Sequence, residues 1–267
     1  MDAYSLLERV REKKPLVHHI TNWVTIYECA AITRAAGALP IMAHAEEEAA
    51  EMTGISGALV LNIGTLTPQI VEAMVKAGKE ANRKGIPVVL DAVGAGATKL
   101  RTDKAAEIMG KVKLAVIKGN KSEIGKLAGA KAETRGVEAG HVEGNPLELA
   151  LSLAEKSHAT VVITGKTDLI ASPTGEVYYI ENGHEMMGKV VGTGCMAASV
   201  IAAFCAVEKN YARAAAAALS CYGIAGELAA KKTRSPMAYK NELIDAIYSL
   251  SKDDVEKFSK VVEGGKC

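Results

Sequence analysis

Four short segments of the chain are apolar throughout and rich in β-branched residues. Each is followed by glycine or by a small polar residue, a pattern typical of parallel strands that are covered on both faces. The segments are ALVLNIG at 58–64, IPVVLDAVG at 86–94, LAVIKGN at 114–120 and TVVITG at 160–165. Between the first two, Thr67 is the expected N-cap of a helix, Pro68 its first residue and Gly85 its stop. The order strand, helix, strand predicts a βαβ unit.

The rest of the chain extends this pattern. The segment DLIASPTGEVYYI at 168–180 predicts two strands joined by a Pro-Thr-Gly turn, and therefore an antiparallel hairpin beside a mostly parallel sheet. From Cys195 onward the spacing of apolar residues predicts helices, and the final amphipathic stretch covers 241–265. Because no repeat or linker interrupts the chain, we expect residues 1–267 to form a single α/β domain.

Composition narrows the possible partners. The 32 Lys and Arg residues balance 31 Asp and Glu residues, so the chain lacks the basic excess of nucleic-acid-binding proteins. The N-terminal segment is charged where a signal peptide is apolar, and no apolar run is long enough to cross a bilayer. The five cysteines form no CxxC pair, which predicts reduced thiols. We therefore expect a cytoplasmic protein that binds neither nucleic acid nor membrane.

Small polar and charged residues collect where the predicted strands end. In open parallel sheets ligands bind beyond the carboxyl ends of the strands, so these residues are the candidates for chemistry. For the four strands in turn they are Asn62 and Gly64, Asp91 and Gly94, Lys118, Asn120 and Glu123, and Thr164 and Gly165. A lysine, two acids and several glycines at one edge of a sheet predict a site for phosphate and a metal ion.

A glycine turn opens the first helix after the predicted hairpin. The turn consists of Gly192, Thr193 and Gly194. Its backbone can curl around an oxyanion, and the N–H groups of Cys195 and Met196 would point at that anion. The alternative is that the glycines only turn the chain tightly into its last helices.

Two standard nucleotide motifs lack their context. GKT at 165–167 resembles part of a P-loop, but Thr160 stands where that motif needs a glycine. GTGCMA at 192–197 matches G-x-G-x-x-A, yet it comes late in the chain, without an acid that ends a following strand. Neither a P-loop nor a dinucleotide-binding fold is therefore expected.

Seven stretches in order along nearly the whole chain resemble the hydroxyethylthiazole kinase family of the ribokinase-like superfamily. They are VHHITNWVT at 17–25, ALPIMAHAEEE at 38–48, LVLNIGTLTP at 59–68, LDAVGAGAT at 90–98, VIKGNKSEI at 116–124, VVITGKTD at 161–168 and VVGTGCMAAS at 190–199. The resemblance implies a three-layer α/β/α sandwich without a lid domain. It also implies transfer of the ATP γ-phosphate to the primary alcohol of 4-methyl-5-(2-hydroxyethyl)thiazole, a step of thiamine salvage, with Mg²⁺. Homotrimers with substrate pockets between subunits are a further implication.

The resemblance assigns roles residue by residue. The thiazole would pack on Met42, near Asn22 and Gly64, with the backbone of Gly192 close to the substrate. The Mg²⁺ ligands would be Asp91 and Glu123. The ATP contacts would be Lys118, Thr164 and Asp91. Lys118 departs from the family, which commonly has arginine there, so the charge is kept but the bidentate fork is lost.

Cys195 takes the place that an aspartate occupies in most of the superfamily. Such an aspartate accepts the proton of the attacking hydroxyl group. A thiol at a helix N-terminus can have a lowered pKa and then serve the same purpose. The alternative is that Cys195 is a small apolar spacer, with proton removal late in a loose transition state.

Two rival functions remain open at this point. One is a ribokinase-like kinase of another small alcohol, such as hydroxymethylpyrimidine. The other is a protein that binds the thiazole or a nucleotide without turnover.

Overall fold

The computed structural model describes residues 2–130 and 144–264, and between them the backbone of 132–135 and 138–142; Cys267 lies outside these residues. The strands are β1 Leu16–Ile20, β2 Leu39–Ile41, β3 Ala58–Asn62, β4 Val88–Asp91, β5 Val116–Asn120, β6 Ala132–Arg135, β7 Glu138–Val142, β8 Thr160–Thr164, β9 Asp168–Ala171, β10 Val177–Ile180 and β11 Val261–Gly264. Nine of them form one sheet in the order β11-β10-β9-β8-β5-β4-β3-β1-β2, and β6 pairs with β7 separately.

The main sheet is mostly parallel with an antiparallel end. Strands β1 to β5 and β8 run parallel to one another. Strands β9, β10 and β11 each run antiparallel to the strand before them in the sheet. The predicted hairpin is thereby confirmed, and the carboxyl ends of the parallel strands meet at one edge.

Helices cover both faces of this sheet. They are α1 Ala3–Lys13, α2 Ile26–Ala35, α3 Glu46–Gly54, α4 Pro68–Lys84, α5 Lys99–Lys111, α6 Lys121–Leu127, α7 Pro146–Ser157, α8 Thr193–Cys205, α9 Tyr211–Lys232, α10 Pro236–Ser249 and α11 Lys252–Phe258. One apolar core lies between the sheet and α1, α2 and α8 to α11, and a second between the sheet and α3 to α7. This is the expected three-layer α/β/α sandwich, and the described residues contain no lid domain.

The local signals that predicted α4 act as expected. Thr67 Oγ1 accepts a hydrogen bond from Ile70 N at 3.3 Å, and Pro68 is the first helical residue. Gly85 ends the helix with a φ of 69°, in the left-handed region that favours glycine. The apolar side of α4 is buried, so the helix packs β3 and β4 into one βαβ unit.

The C-terminal prediction is wrong beyond Phe258. The chain leaves the helix at Ser259, and Val261–Gly264 forms β11 along β10. Two adjacent β-branched residues favour a strand there, and pairing occupies the hydrogen-bonding groups of β10, which would otherwise be exposed. Strands β1 and β2 were also missed.

No helix in the described part of the chain is both long and apolar enough to span a membrane.

Candidate active site

A buried ion pair lies at the carboxyl edge of the sheet. Lys118 Nζ donates to Asp91 Oδ1 at 3.0 Å, and the two side chains are 5% and 0% exposed. The residues sit in register on β5 and β4. A Cβ placed on Gly194 would lie 3.2 Å from Lys118 Nζ, so the ammonium group also faces the start of α8. The fold thus brings the predicted phosphate contact, the predicted metal ligand and the glycine turn together.

The ion pair sets the ionisation of its members. Burial lowers the pKa of Lys118, but the carboxylates of Asp91 and Glu123 outweigh burial and raise this pKa to about 12. Burial raises the pKa of Asp91, against the opposing effects of Lys118 and the Asn62 amide. Removing one partner of such a pair leaves a buried charge without compensation, at a cost of about 3–5 kcal/mol. Lys118 is therefore held as a cation that faces the α8 turn.

Glu123 lies in the first turn of α6, beside this pair. Its two carboxylate oxygens accept backbone N–H groups of Gly94 and Asn120, each at 2.7 Å. Burial raises its pKa, against Lys118 and these two N–H donors, and the charge of Asp91 raises it further. The hydrogen bonds fix Glu123 at the end of β5 and tie the loop after β4 to it.

The glycine turn has the geometry of an open helix N-terminus. Gly192 is the N-cap of α8 with a φ of 96°, and a Cβ there would lie 2.8 Å from Thr25 Cγ2. Thr193 Oγ1 donates to the Met187 carbonyl at 2.8 Å, and the Tyr222 hydroxyl donates to the Thr193 carbonyl at 3.0 Å. The turn is therefore fixed from both sides, and only its backbone is directed at the site.

One predicted anion contact is wrong. Met196 N donates to the Gly192 carbonyl at 2.8 Å, so this N–H group belongs to the helix ladder of α8. The N–H groups of Thr193, Gly194 and Cys195 come earlier and have no acceptor within the helix. With Lys118 alongside Gly194, these three groups form the part of the turn that suits an anion.

Cys195 is partly buried, with its sulfur against two amides. Asn22 Nδ2 and Asn62 Nδ2 each lie 3.4 Å from Cys195 Sγ. Burial raises the pKa of Cys195, as does the charge of Asp91, and these effects exceed the lowering by Lys118. The expected lowering of the thiol pKa at the helix N-terminus is therefore wrong. The thiol is predominantly protonated at neutral pH.

The remaining predicted residues lie at different distances from this centre. Gly64 N donates to Asn62 Oδ1 at 2.9 Å, and a Cβ on Gly64 would clash with the side chain of Asn22. Thr164 Oγ1 is 3.4 Å from the Gly119 carbonyl, one strand beyond Lys118. Met42 is partly buried in the loop after β2, two strands from β3. Gly64 thus joins the centre directly, whereas the contact of Met42 with substrate stays a prediction.

One residue of the site was given no role by the sequence analysis, and another was missed. Asn62 was named among the strand-end candidates for chemistry, because it follows four apolar residues, but no role was assigned to it. Arg101 had no signal: its guanidinium donates to the carbonyls of Ile63 and Val93 at 3.0 Å and of Gly64 at 2.6 Å. Arg101 thereby fastens the loops after β3 and β4 to each other.

The donor set fits Mg²⁺ held largely through water. Asp91 and Glu123 supply carboxylate oxygens, which this ion prefers, and Mg²⁺ commonly uses one or two carboxylates together with water and substrate phosphates. No group of three or more His, Cys, Asp or Glu side chains within the described residues could hold a metal. The described residues therefore contain no closed protein cage for a metal ion.

This mostly parallel sheet with helices on both faces is the fold of the ribokinase-like kinases. Pyridoxal kinase from Staphylococcus aureus, solved in complex with pyridoxal, has the same fold with a TM-score of 0.60. The two sequences are 14% identical, and the match covers 94% of this chain and 99% of the pyridoxal kinase. At this identity the likeness shows the fold alone.

Closer relatives narrow the class. The model of the Hydroxyethylthiazole kinase family matches residues 7–253. Hydroxyethylthiazole kinase of Methanosarcina mazei is 55% identical over 96% of this chain and 98% of its own length. The solved hydroxyethylthiazole kinase protein of Pyrococcus horikoshii is 38% identical, with a TM-score of 0.88 and 98% of each chain covered. The chain belongs to the hydroxyethylthiazole kinase family.

A buried histidine on β1 contacts helix α8. His19 of β1 lies with Nε2 3.2 Å from Ser199 Oγ, and Ser199 in turn donates to the Cys195 carbonyl at 3.2 Å. Burial lowers the pKa of His19 to about 4. Because the unfolded chain binds this proton more readily, His19 destabilises the fold progressively as pH falls below about 6.5.

We predict that His19→Gln flattens the pH dependence of stability. The shift from 6.5 to about 4 corresponds to a loss on the order of 3 kcal/mol between pH 7 and pH 4, which the variant should avoid. Denaturant unfolding at several pH values between 7 and 4 measures this loss of stability. Comparing variant with wild type removes the opposite contribution of Asp168, whose pKa burial raises to about 6. The exposed His44→Gln is the control; identical slopes for His19→Gln and wild type would contradict the prediction.

Proposed function

We propose that this chain is a kinase that transfers the γ-phosphate of ATP to the primary alcohol of 4-methyl-5-(2-hydroxyethyl)thiazole, a step of thiamine salvage. One observation supports this above the others. The open N-terminus of α8, the cation of Lys118 and the thiol of Cys195 meet at one edge of the sheet, in a chain of this family. Phosphoryl transfer needs positive potential and positioning, and this edge supplies both.

The phosphates of ATP would lie at the glycine turn. The N–H groups of Thr193, Gly194 and Cys195 would donate to phosphate oxygens, and Lys118 would add its charge from below. Thr164 is placed one strand further along for a second phosphate contact. Lysine in place of arginine suits this geometry, because Lys118 is buried between Asp91 and Gly194, where little room is left for a fork.

We assign Mg²⁺ to Asp91 and Glu123. Their carboxylates would hold the ion, and the ion would supply positive charge to offset the charge that develops on the phosphates. The two N–H groups that hold Glu123 keep one carboxylate at the end of β5, while the ion pair keeps the other at the end of β4. The chain itself thus sets the spacing between the two acids.

The alcohol would bind beside Cys195, in a pocket that includes Asn22, Gly64 and Gly192 as well as Met42. Cys195 first loses its own proton to solvent in a small fraction of the molecules. In that fraction the hydroxyl oxygen forms the new bond to the γ-phosphorus, the bond to the leaving ADP oxygen breaks, and the hydroxyl proton passes to the thiolate, which becomes a neutral thiol. Proton transfer is late in a loose transition state, so a minor population of thiolate is sufficient.

The deciding experiment is an ADP-release assay with two acceptors and an acceptor-free control. We expect release with ATP and the thiazole alcohol, little with hydroxymethylpyrimidine, and none without acceptor. EDTA should abolish the release, because without Mg²⁺ the negative charges of the phosphates, Asp91 and Glu123 would repel one another. Release with the pyrimidine but not with the thiazole would contradict the proposed substrate. Tight binding of the thiazole without release would indicate a binding protein.

The same assay tests whether Cys195 acts as the general base. Cys195→Ala should lower turnover by about 100-fold, the low end of general-base contributions, whereas Cys195→Asp should match or exceed the wild type because a carboxylate accepts the proton more readily. Cys205→Ala is the matched control, since Cys205 ends the same helix and is fully buried. Equal rates for Cys195, Cys195→Ala and Cys195→Asp would exclude the base role.

We further propose a homotrimer with its pockets between subunits. Four large apolar side chains next to the pocket are exposed by 48–73%: Trp23, Val24, Tyr27 and Val191. A contiguous exposed apolar surface beside a site is typical of an interface. A cytoplasmic location is likewise proposed, on the composition of the chain.

Light scattering should give close to three times the 28.0 kDa of one chain. Val24→Glu should lower both this mass and the thiazole turnover, because it places a charge in the interface. Val262→Glu on β11, at the opposite end of the sheet, should change neither. A monomeric wild type with full turnover would contradict the shared pocket.

A further inference from the structure

Asn62 occupies the centre of the hydrogen-bond network around Cys195. Its side chain is 2% exposed and lies at the end of β3. Asn62 Nδ2 donates to Asp91 Oδ2 at 2.8 Å and lies 3.4 Å from Cys195 Sγ. Asn62 Oδ1 accepts from Asn22 Nδ2 at 3.0 Å and from Gly64 N at 2.9 Å. All four hydrogen-bonding positions of this amide are therefore used.

The network fixes which way the Asn62 amide faces. Gly64 N can only donate, so the group beside it must be the Asn62 oxygen. The Asp91 carboxylate can only accept when ionised, so the group beside it must be the Asn62 nitrogen. If the amide were flipped, its nitrogen would face the N–H group of Gly64 and its oxygen would face the Asp91 carboxylate, so neither hydrogen bond could form. The hydrogens of Asn62 Nδ2 are thus directed at Asp91 and at the Cys195 sulfur.

Asn22 is fixed in the same way. Its Oδ1 accepts from Val24 N and Thr25 N at 3.0 Å each, which leaves Nδ2 for Asn62 and for the Cys195 sulfur. The sulfur therefore receives N–H groups from two amides that cannot turn round. Its own hydrogen must point away from both of them.

From this geometry we propose that Asn62 is a positioning residue, which holds the Cys195 sulfur as a hydrogen-bond acceptor and fixes its orientation relative to Asp91. The effect of Asn62 on catalysis rests on the proposed function. The thiol geometry itself requires no kinase activity, so it can be tested separately.

The first test measures alkylation of Cys195 by iodoacetamide without substrates. Asn62→Leu keeps a similar volume but loses the N–H donor that stabilises the thiolate, so alkylation at fixed pH should slow about tenfold. Mapping by peptide mass separates Cys195 from Cys267, and the other three cysteines are buried. An unchanged rate in Asn62→Leu would overturn the proposal.

Asn182 provides the matched control. It is 5% exposed, and its Nδ2 likewise donates to a carboxylate, Glu227, at 3.0 Å. Asn182→Leu should destabilise the fold comparably and leave alkylation of Cys195 unchanged. If Asn62→Leu does not fold, Asn62→Ala replaces it: the N–H donor is lost without a new charge beside Asp91, and alkylation should slow in the same direction.

The second test is a double-mutant cycle on turnover. Asn62→Leu should lower kcat about 100-fold when Cys195 is present, and about tenfold or less in the Cys195→Ala background, with the KM of the alcohol changed by less than about threefold. Equal losses in both backgrounds would show that Asn62 acts only through the fold or through Asp91, and would overturn the proposal. A wild type without thiazole-dependent turnover would contradict the proposed function while the alkylation test still decides the thiol geometry.

Discussion

The buried pair of Asp91 and Lys118 is the constraint on which the site depends. Its two members come from adjacent parallel strands, and neither could be buried alone, because an isolated charge in an apolar interior is far too costly. Once formed, the pair supplies a fixed cation to the glycine turn and a fixed carboxylate to the amide network. The sites proposed for phosphate and the metal ion, and the surroundings of the thiol, thus depend on one interaction between β4 and β5.

The parallel sheet makes this arrangement possible. Residues that are far apart in the chain are brought to one edge because every crossover helix returns the chain to the same end of the sheet. Arg101 and Glu123 then fasten the loops that leave this edge, through carbonyl oxygens in one case and backbone N–H groups in the other. The loops therefore have well-defined positions although they lie outside regular structure.

Features with local signals were predictable from the sequence. The strands β3, β4, β5 and β8 are uninterrupted apolar runs, and α4 carries its own cap, proline and terminating glycine. Strand β1 was missed because His18 and His19 interrupt its apolar pattern, although both are buried. Strand β2 has only three residues, one of them proline, and β11 follows a helix without a turn signal.

The chemistry of the site was predictable only in part. Resemblance supplied the residues, and the fold brings most of them together, but their ionisation depends on neighbours that no local pattern reveals. The pKa of Cys195 rises because burial and the charge of Asp91 outweigh the lowering by Lys118. The raised pKa also affects how readily Cys195 is oxidised. Peroxides and other oxidants attack the thiolate, so a raised pKa slows the conversion of a cysteine to sulfenic acid at neutral pH.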